Sequence, residues 1–509
     1  LVKKTIILVF LLFIVFPSYA PIANWISLSL GAEKVIATAP VESSQSVEQV
    51  YTNYRKIETR WMGETNAKQN EYEIEHNRIF AKSEVFNPDY QAKDQIIKFY
   101  RLSYQTKYLG ESHNVSGLVL LPPQKKPKGV ILFFHSTMAS KLQVPSMRFE
   151  QYKSQMLAAI FAADGYVVIS PDYIGLGNDF RTEHPYIIYP RPNVDDGKDM
   201  LIASLDLLNR NGILFNDNKM PLFVSGYSEG GSYALWFSKI YQQDHKFKQI
   251  VNQHGYYLEK TVPIEGAYDV SEVMFPFLLS NQINESQNKF NINTTFWGSL
   301  LKPSLLANAL SGYAAHNNLD IRELINPAFY MLSCINGRPW CSNLYANYTV
   351  ETARLFDTNQ LLMSLNYYFQ AYGIGARDGK FNLFNNSVKS LVNPELLVNE
   401  SGIYKVAREA NIVKWKSASP VTFISLASDS LVPEANSANA YAGMRASGST
   451  NLDYIKVPNG LIKARSLVGP SVADHVSFEL YALLIALNQF NLVNTRANIE
   501  SLAMQNLIK

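Results

Sequence analysis

The stretch Gly226-Tyr227-Ser228-Glu229-Gly230-Gly231 sets a serine among small residues, directly after the apolar run Leu222-Phe223-Val224. In that setting a serine can act as a nucleophile. A tight turn from strand to helix holds it in a strained conformation, lifts its hydroxyl above a sheet and requires small neighbours. The helix that follows turns its free N–H groups toward the same spot. A glycine-rich turn with an incidental serine is the plainer alternative. The strand-like run before the turn and the helical pattern after it weigh against that alternative.

A serine hydroxyl needs a base to take its proton and an acid to orient the base. On this plan the three follow in the chain order serine, acid, histidine. Of eight histidines only His475 lies beyond the last strand-like runs, in the loop Gly469-Pro470-Ser471-Val472-Ala473-Asp474-His475. The candidate acid is Asp429 in Ala427-Ser428-Asp429-Ser430-Leu431-Val432-Pro433, just past a buried-strand pattern. Both stand where strand ends feed loops at one edge of a sheet, where open α/β sheets build their sites. Asp172 and Asp269 are rival acids, the latter because it follows the strand after the nucleophile. The oxyanion needs two backbone donors. One is the N–H of Glu229. The other comes from the loop Phe134-His135-Ser136-Thr137-Met138-Ala139-Ser140 and is assigned to Thr137. His135 is read as a brace of this loop.

The elements that must position these residues are legible as short apolar runs. Val130 to Phe134, Tyr166 to Ile169 and Leu222 to Val224 are continuous and bounded by turns, the pattern of strands buried on both faces of a parallel sheet. Helical stretches at Gln151–Asp164 and Asp199–Arg210 separate them, which predicts an α/β fold with right-handed crossovers. Before them, Ile97 to Tyr104 and Val115 to Leu121 flank a Gly110-Glu111 turn and predict a β-hairpin. Sheet texture resumes at Val421–Leu426 and Leu452–Val457, and a helix is expected over Ser477–Asn488. Between, Met274 to Ala410 lacks such strands and reads as helical. Pro40 to Ser46 is small and polar and reads as a linker. Glu48 to Arg78 is polar, irregular to helical and without evident chemistry.

At 509 residues the chain is long enough for about three domains. With 47% hydrophobic residues it can bury a large core, which excludes disorder as its main state. Its 46 basic and 43 acidic residues, net +3, leave no electrostatic footprint for nucleic acid. Lys3 and Lys4 precede the eleven-residue apolar run Ile6–Phe16, then Pro17 and Ser18-Tyr19-Ala20. This is the pattern of a signal peptide, with Ala39 as a second cleavage candidate, and predicts a secreted or periplasmic protein. In an oxidising compartment the two cysteines, Cys334 and Cys341, are expected to form one local disulfide. Without histidines nearby they build no zinc site, and no metal or cofactor is expected.

These segments resemble the secretory lipase-like esterases of the α/β-hydrolase superfamily. The likeness rests on Val115-Ser116-Gly117-Leu118-Val119-Leu120-Leu121-Pro122, on His135-Ser136-Thr137 where the family has His-Gly-Thr, and on Asp164 to Gly177 followed by His184-Pro185-Tyr186. The serine turn, Gly266-Ala267-Tyr268-Asp269 and the Asp429 and His475 loops complete it. The resemblance covers about residues 95 to 275 and 415 to 490. It implies an α/β-hydrolase fold, a mostly parallel central sheet flanked by helices with a helical cap insertion. The chain then divides into a signal peptide (1–20), an N-terminal extension (21–94), the first part of the core (95–273), the cap (274–410) and the second part of the core (411–509). It favours Asp429 over its rivals. It implies hydrolysis of carboxylic esters by Ser228, Asp429 and His475, with a small-molecule ester or lipid as partner and transient contact with a lipid interface. A peptidase or amidase on the same residues, or a degenerate lipid-binding module, are the alternatives.

Overall fold

In the computed structural model the described residues are 41–76, 94–138, 141–213, 219–279, 296–319, 324, 402–464, 471–472 and 474–507. Nine strands form one sheet: β1 (Val41–Ser46), β2 (Ile96–Tyr108), β3 (Glu111–Leu121), β4 (Gly129–Phe134), β5 (Tyr166–Pro171), β6 (Met220–Tyr227), β7 (Tyr256–Ile264), β8 (Val421–Leu426) and β9 (Leu452–Val457). Their spatial order is β1-β2-β3-β5-β4-β6-β7-β8-β9. From β5 to β9 every pairing is parallel, and the pairings of β1, β2 and β3 with their neighbours are antiparallel. The expected hairpin is β2 and β3, and each expected central strand is present.

Helices cover both faces. They are α1 (Val47–Met62), α2 (Glu64–His76), α3 (Tyr152–Leu157, continued as a π turn over Ala158–Ala162), α4 (Pro190–Arg210), α5 (Glu229–Gln243), α6 (His245–Gln253), α7 (Phe275–Leu279), α8 (Phe296–His316), α9 (Gly402–Glu409), α10 (Ala435–Ala446) and α11 (His475–Leu507). The two-residue period of β4 divides the core. Ile131 and Phe133 join α1, α3 and α11, while Val130, Leu132 and Phe134 join α4, α5 and α6. That is why a continuous apolar run is needed: both faces of the strand are sealed.

The structure corrects several local expectations, among them the helix expected from Asp199, which begins at Pro190. Pro40 to Ser46 is not a linker from Val41 onward, because those residues form β1, paired with β2 from Val41↔Arg101 to Ser46↔Ile96. Its polar residues suit an edge strand facing water. Ser46 ends it and starts α1 in a capping box: its Oγ accepts from the Gln49 N–H at 3.1 Å, and Gln49 Oε1 accepts from the Ser46 N–H at 2.9 Å. The last helix runs from His475 to Leu507, starting two residues earlier than expected and ending well past Asn488; Asp474 caps its start through the Ser477 N–H at 3.2 Å. Although α11 is apolar and long, Phe478, Tyr481, Leu483, Ile485 and Phe490 are buried in the core.

Between β7 and β8 the described pieces are helical. Phe277 and Leu278 of α7, Leu306 and Leu310 of α8, and Ile403 and Ala407 of α9 share a cluster with Tyr186, Ile187, Ile188 and Val432. At Gly312, α8 runs so close to the His184–Tyr186 loop that a Cβ would lie 2.9 Å from the His184 carbonyl oxygen. The expected signal peptide and both cysteines lie outside the described residues.

Candidate active site

Ser228 joins β6 to α5 with φ 58° and ψ −119°, a conformation that strains any residue with a Cβ. Its neighbours explain the glycines. A Cβ on Gly226 would lie 2.2 Å from the Gly230 carbonyl oxygen, one on Gly230 1.9 Å from that of Phe134, and one on Gly231 2.3 Å from that of Ile264. The turn can be this sharp only where backbone replaces side chains. The Ser228 N–H donates to the Ile264 carbonyl at 2.9 Å, which ties the turn to the end of β7.

At the same edge of the sheet, the loops after β8 and β9 deliver Asp429 and His475. His475 Nε2 lies 2.8 Å from Ser228 Oγ, and His475 Nδ1 lies 2.6 Å from Asp429 Oδ2. The second carboxylate oxygen, Asp429 Oδ1, accepts from the N–H groups of Leu431 and Val432, both at 2.7 Å. With Nδ1–H donating to the carboxylate, Nε2 keeps its lone pair for the serine proton. Tyr227 O–H donates to the His475 carbonyl at 2.5 Å and holds the start of α11 against the end of β6. All three residues are buried, Asp429 completely.

Glu229 heads α5, where first-turn N–H groups have no partner within the helix. Its carboxylate is spent elsewhere, 2.6 Å from His184 Nε2 and accepting from Tyr233 O–H at 2.8 Å. Thr137 Oγ1 lies 2.9 Å from Tyr186 Oη, so the loop after β4 is pinned to the one below α8. Ser136, where the resembled family has glycine, is held by Lys153 Nζ at 2.5 Å. Lys153 is itself buried in an ion pair with Glu479, one turn beyond His475 in α11. The loop after β4 and the helix carrying His475 are therefore cross-linked. His135 faces the carbonyls of Ser136 at 2.7 Å and Asp172 at 3.3 Å and stacks on Tyr173. Burial pushes its pKa down to about 4, which suits a neutral brace.

Neither rival acid is hydrogen-bonded to His475. Asp172 accepts from Ser116 Oγ at 2.6 Å and from Ser146, and burial pushes it up to about 6. Asp269 accepts from Asn439 Nδ2 at 2.7 Å. The residue that the sequence reading passed over is Glu265, buried at the end of β7 and within 4.8 Å of both Asp429 and His475. An acidic residue closing the apolar run Val262-Pro263-Ile264 is the signal that could have found it. The N-terminal helices touch the segment that precedes His475. Asn70 of α2 donates to the Lys463 carbonyl and accepts from its N–H, both at 2.8 Å, in the small ribbon Lys463–Ala464 with Ser471–Val472 that leads to His475.

No family model matches the chain, and no curated protein matches its sequence. Solved structures do match. A Legionella pneumophila protein described as a hydrolase aligns at TM-score 0.59 and 18% identity, covering 90% of this chain and 97% of its own. The rice cell wall degrading esterase LipA from Xanthomonas oryzae aligns at TM-score 0.55 and 18% identity, over 77% of this chain and 90% of its own. A ligand-bound form of that esterase aligns at TM-score 0.55 over 90% of this chain. With the sheet order above, these likenesses give the chain the α/β-hydrolase fold.

Proposed function

We propose that the protein hydrolyses carboxylic esters through an acyl-enzyme formed on Ser228. The observation that carries this reading is the hydrogen-bonded chain from Ser228 Oγ through His475 to Asp429, at 2.8 and 2.6 Å. Ser228 Oγ attacks the ester carbonyl as His475 Nε2 takes its proton. Asp429 holds the ring and stabilises the imidazolium. The oxyanion is received by the N–H groups of Glu229 and Thr137, each worth about 3 kcal/mol. His475 then protonates the departing alcohol. Water, deprotonated by the same nitrogen, releases the acid and restores Ser228.

Esters are favoured over amides because the esterase among the structural neighbours shares the fold and the likeness spans its length. Export is part of the proposal and rests on Lys3, Lys4 and the Ile6–Phe16 run. An aromatic-rich insertion between β7 and β8 would shape the acyl pocket and touch lipid interfaces. A panel of p-nitrophenyl esters from acetate to palmitate, with an anilide control, tests substrate class. We expect ester turnover that falls at least ~10⁴-fold in Ser228→Ala. A fluorophosphonate probe should label Ser228 in the folded protein. Undiminished turnover in Ser228→Ala, or no adduct, overturns the proposal.

A further inference from the structure

Two carboxyl groups meet behind the imidazole. A carboxylate oxygen of Glu265, one of Asp429 and a ring nitrogen of His475 all lie within 4.8 Å of one another, and all three residues are buried. Glu265 is set there by its backbone: φ is 48°, and its N–H donates to the Ile424 carbonyl at 3.0 Å, so the chain turns inward at the end of β7. Glu265 Oε1 accepts from the Leu426 N–H, while Oε2 has no donor among the described residues. Asp429 is better supplied, with two backbone N–H groups on one oxygen and the imidazole on the other.

Two carboxylates sealed together away from water cannot both stay ionised. The one with more donors keeps its charge, and the other keeps a proton. A metal ion is a poor alternative occupant, because both nitrogens of His475 are committed, to Asp429 and to Ser228. We propose that Glu265 is a neutral carboxylic acid whose O–H donates to the Asp429 carboxylate, and that it is a positioning residue for the acid of the triad. This rests on the Ser228–His475–Asp429 reading of the site. Burial and the adjoining Asp429 charge push the Glu265 carboxyl well above the usual carboxylate range, in agreement with the geometry.

The other titratable groups around the pair are Tyr227, Tyr268, Tyr454, Asp474 and Glu434, the last held by Lys456 at 3.2 Å. The tyrosines are pushed up by burial, Glu434 is paired with Lys456, and Asp474, also pushed up by burial, is held by the N–H and hydroxyl of Ser477. The O–H bond spreads the Asp429 charge and fixes its rotamer. It also makes the imidazolium slightly less stable than a bare carboxylate would.

Glu265→Gln and Glu265→Leu separate the outcomes. The glutamine amide can donate to Asp429 and accept from the Leu426 N–H, so E265Q should keep kcat within about fivefold and leave the acid limb of the kcat/KM profile in place. E265L should lose kcat about tenfold or more at little-changed KM, with the acid limb moved to higher pH. If Glu265 is instead ionised, E265Q removes a charge and the limb falls by about one unit or more, which overturns the proposal. The infrared difference spectrum of wild type against E265Q reads the same point without turnover. The C=O band of a neutral, deuterium-sensitive carboxylic acid should vanish in the variant, and its persistence overturns the proposal even if E265L does not fold. Failure of the probe to label Ser228 would sink the hydrolase reading, leaving the infrared result to judge Glu265 alone.

Discussion

Each carboxyl group near the site owes its role to what surrounds it more than to its type. Asp429 accepts two N–H groups and the imidazole, whereas Asp269 and Asp172 spend their oxygens on Asn439 and on Ser116 and Ser146. Asp429→Asn should therefore cost about 10⁴ in kcat, since the amide presents the wrong donor to Nδ1. Asp269→Asn should stay within about tenfold, and a larger loss there than at Asp429 would move the acid. Asp172 makes a stability statement. Its folded pKa of about 6 lies above the unfolded value near 4, so its contribution is full below pH ~4 and is lost as pH rises through about 6. In urea unfolding, wild type should lose about 2–3 kcal/mol relative to Asp172→Asn between pH 4 and pH 8. A constant gap between the two proteins would contradict this.

At the scale of elements, the site is the meeting of three strand ends with the turns that leave them. The turn after β6 is held by contact of backbone with backbone, and Gly230 is its tightest point. Gly230→Ala would drive a methyl into the Phe134 carbonyl, where the Cβ distance is 1.9 Å. The β4 and β6 ends would have to part, at a cost of about 3 kcal/mol. We expect a lower urea midpoint and loss of probe labelling at Ser228; an unchanged midpoint would show that the two strand ends can separate freely. The hairpin of β2 and β3 and the central strands were legible because buried strands require apolar runs. Strand β1 was not, because an edge strand exposes its residues and a polar edge reads like a linker.

Across the whole molecule, residues 41–76 are part of the fold. Val47, Val50, Tyr54 and Met62 are buried with Phe161, Phe478 and Tyr481. Tyr481 O–H in turn donates to Glu58 at 2.9 Å. The same segment supports the ribbon ahead of His475 through Asn70, so distant stability and site geometry are joined. Tyr54→Ala should destabilise the protein by about 3 kcal/mol and shift a single unfolding transition. Two separate transitions in urea, one of them unmoved, would mean that residues 41–76 fold apart from the sheet.

The sequence alone determined the α/β class, the chain order Ser228, Asp429, His475, and the turn on which Ser228 sits. Each of these is written locally: apolar runs mark strands, and a serine among glycines marks the turn. What only the tertiary structure decided is which groups meet. Nothing local brings Glu265, just past β7, to the loop after β8, or joins Lys153 of α3 to Glu479 of α11 on one face of the sheet. Those pairings depend on parallel strands, which place residues far apart in the chain at one edge, and on burial, which sets the proton of each carboxyl group.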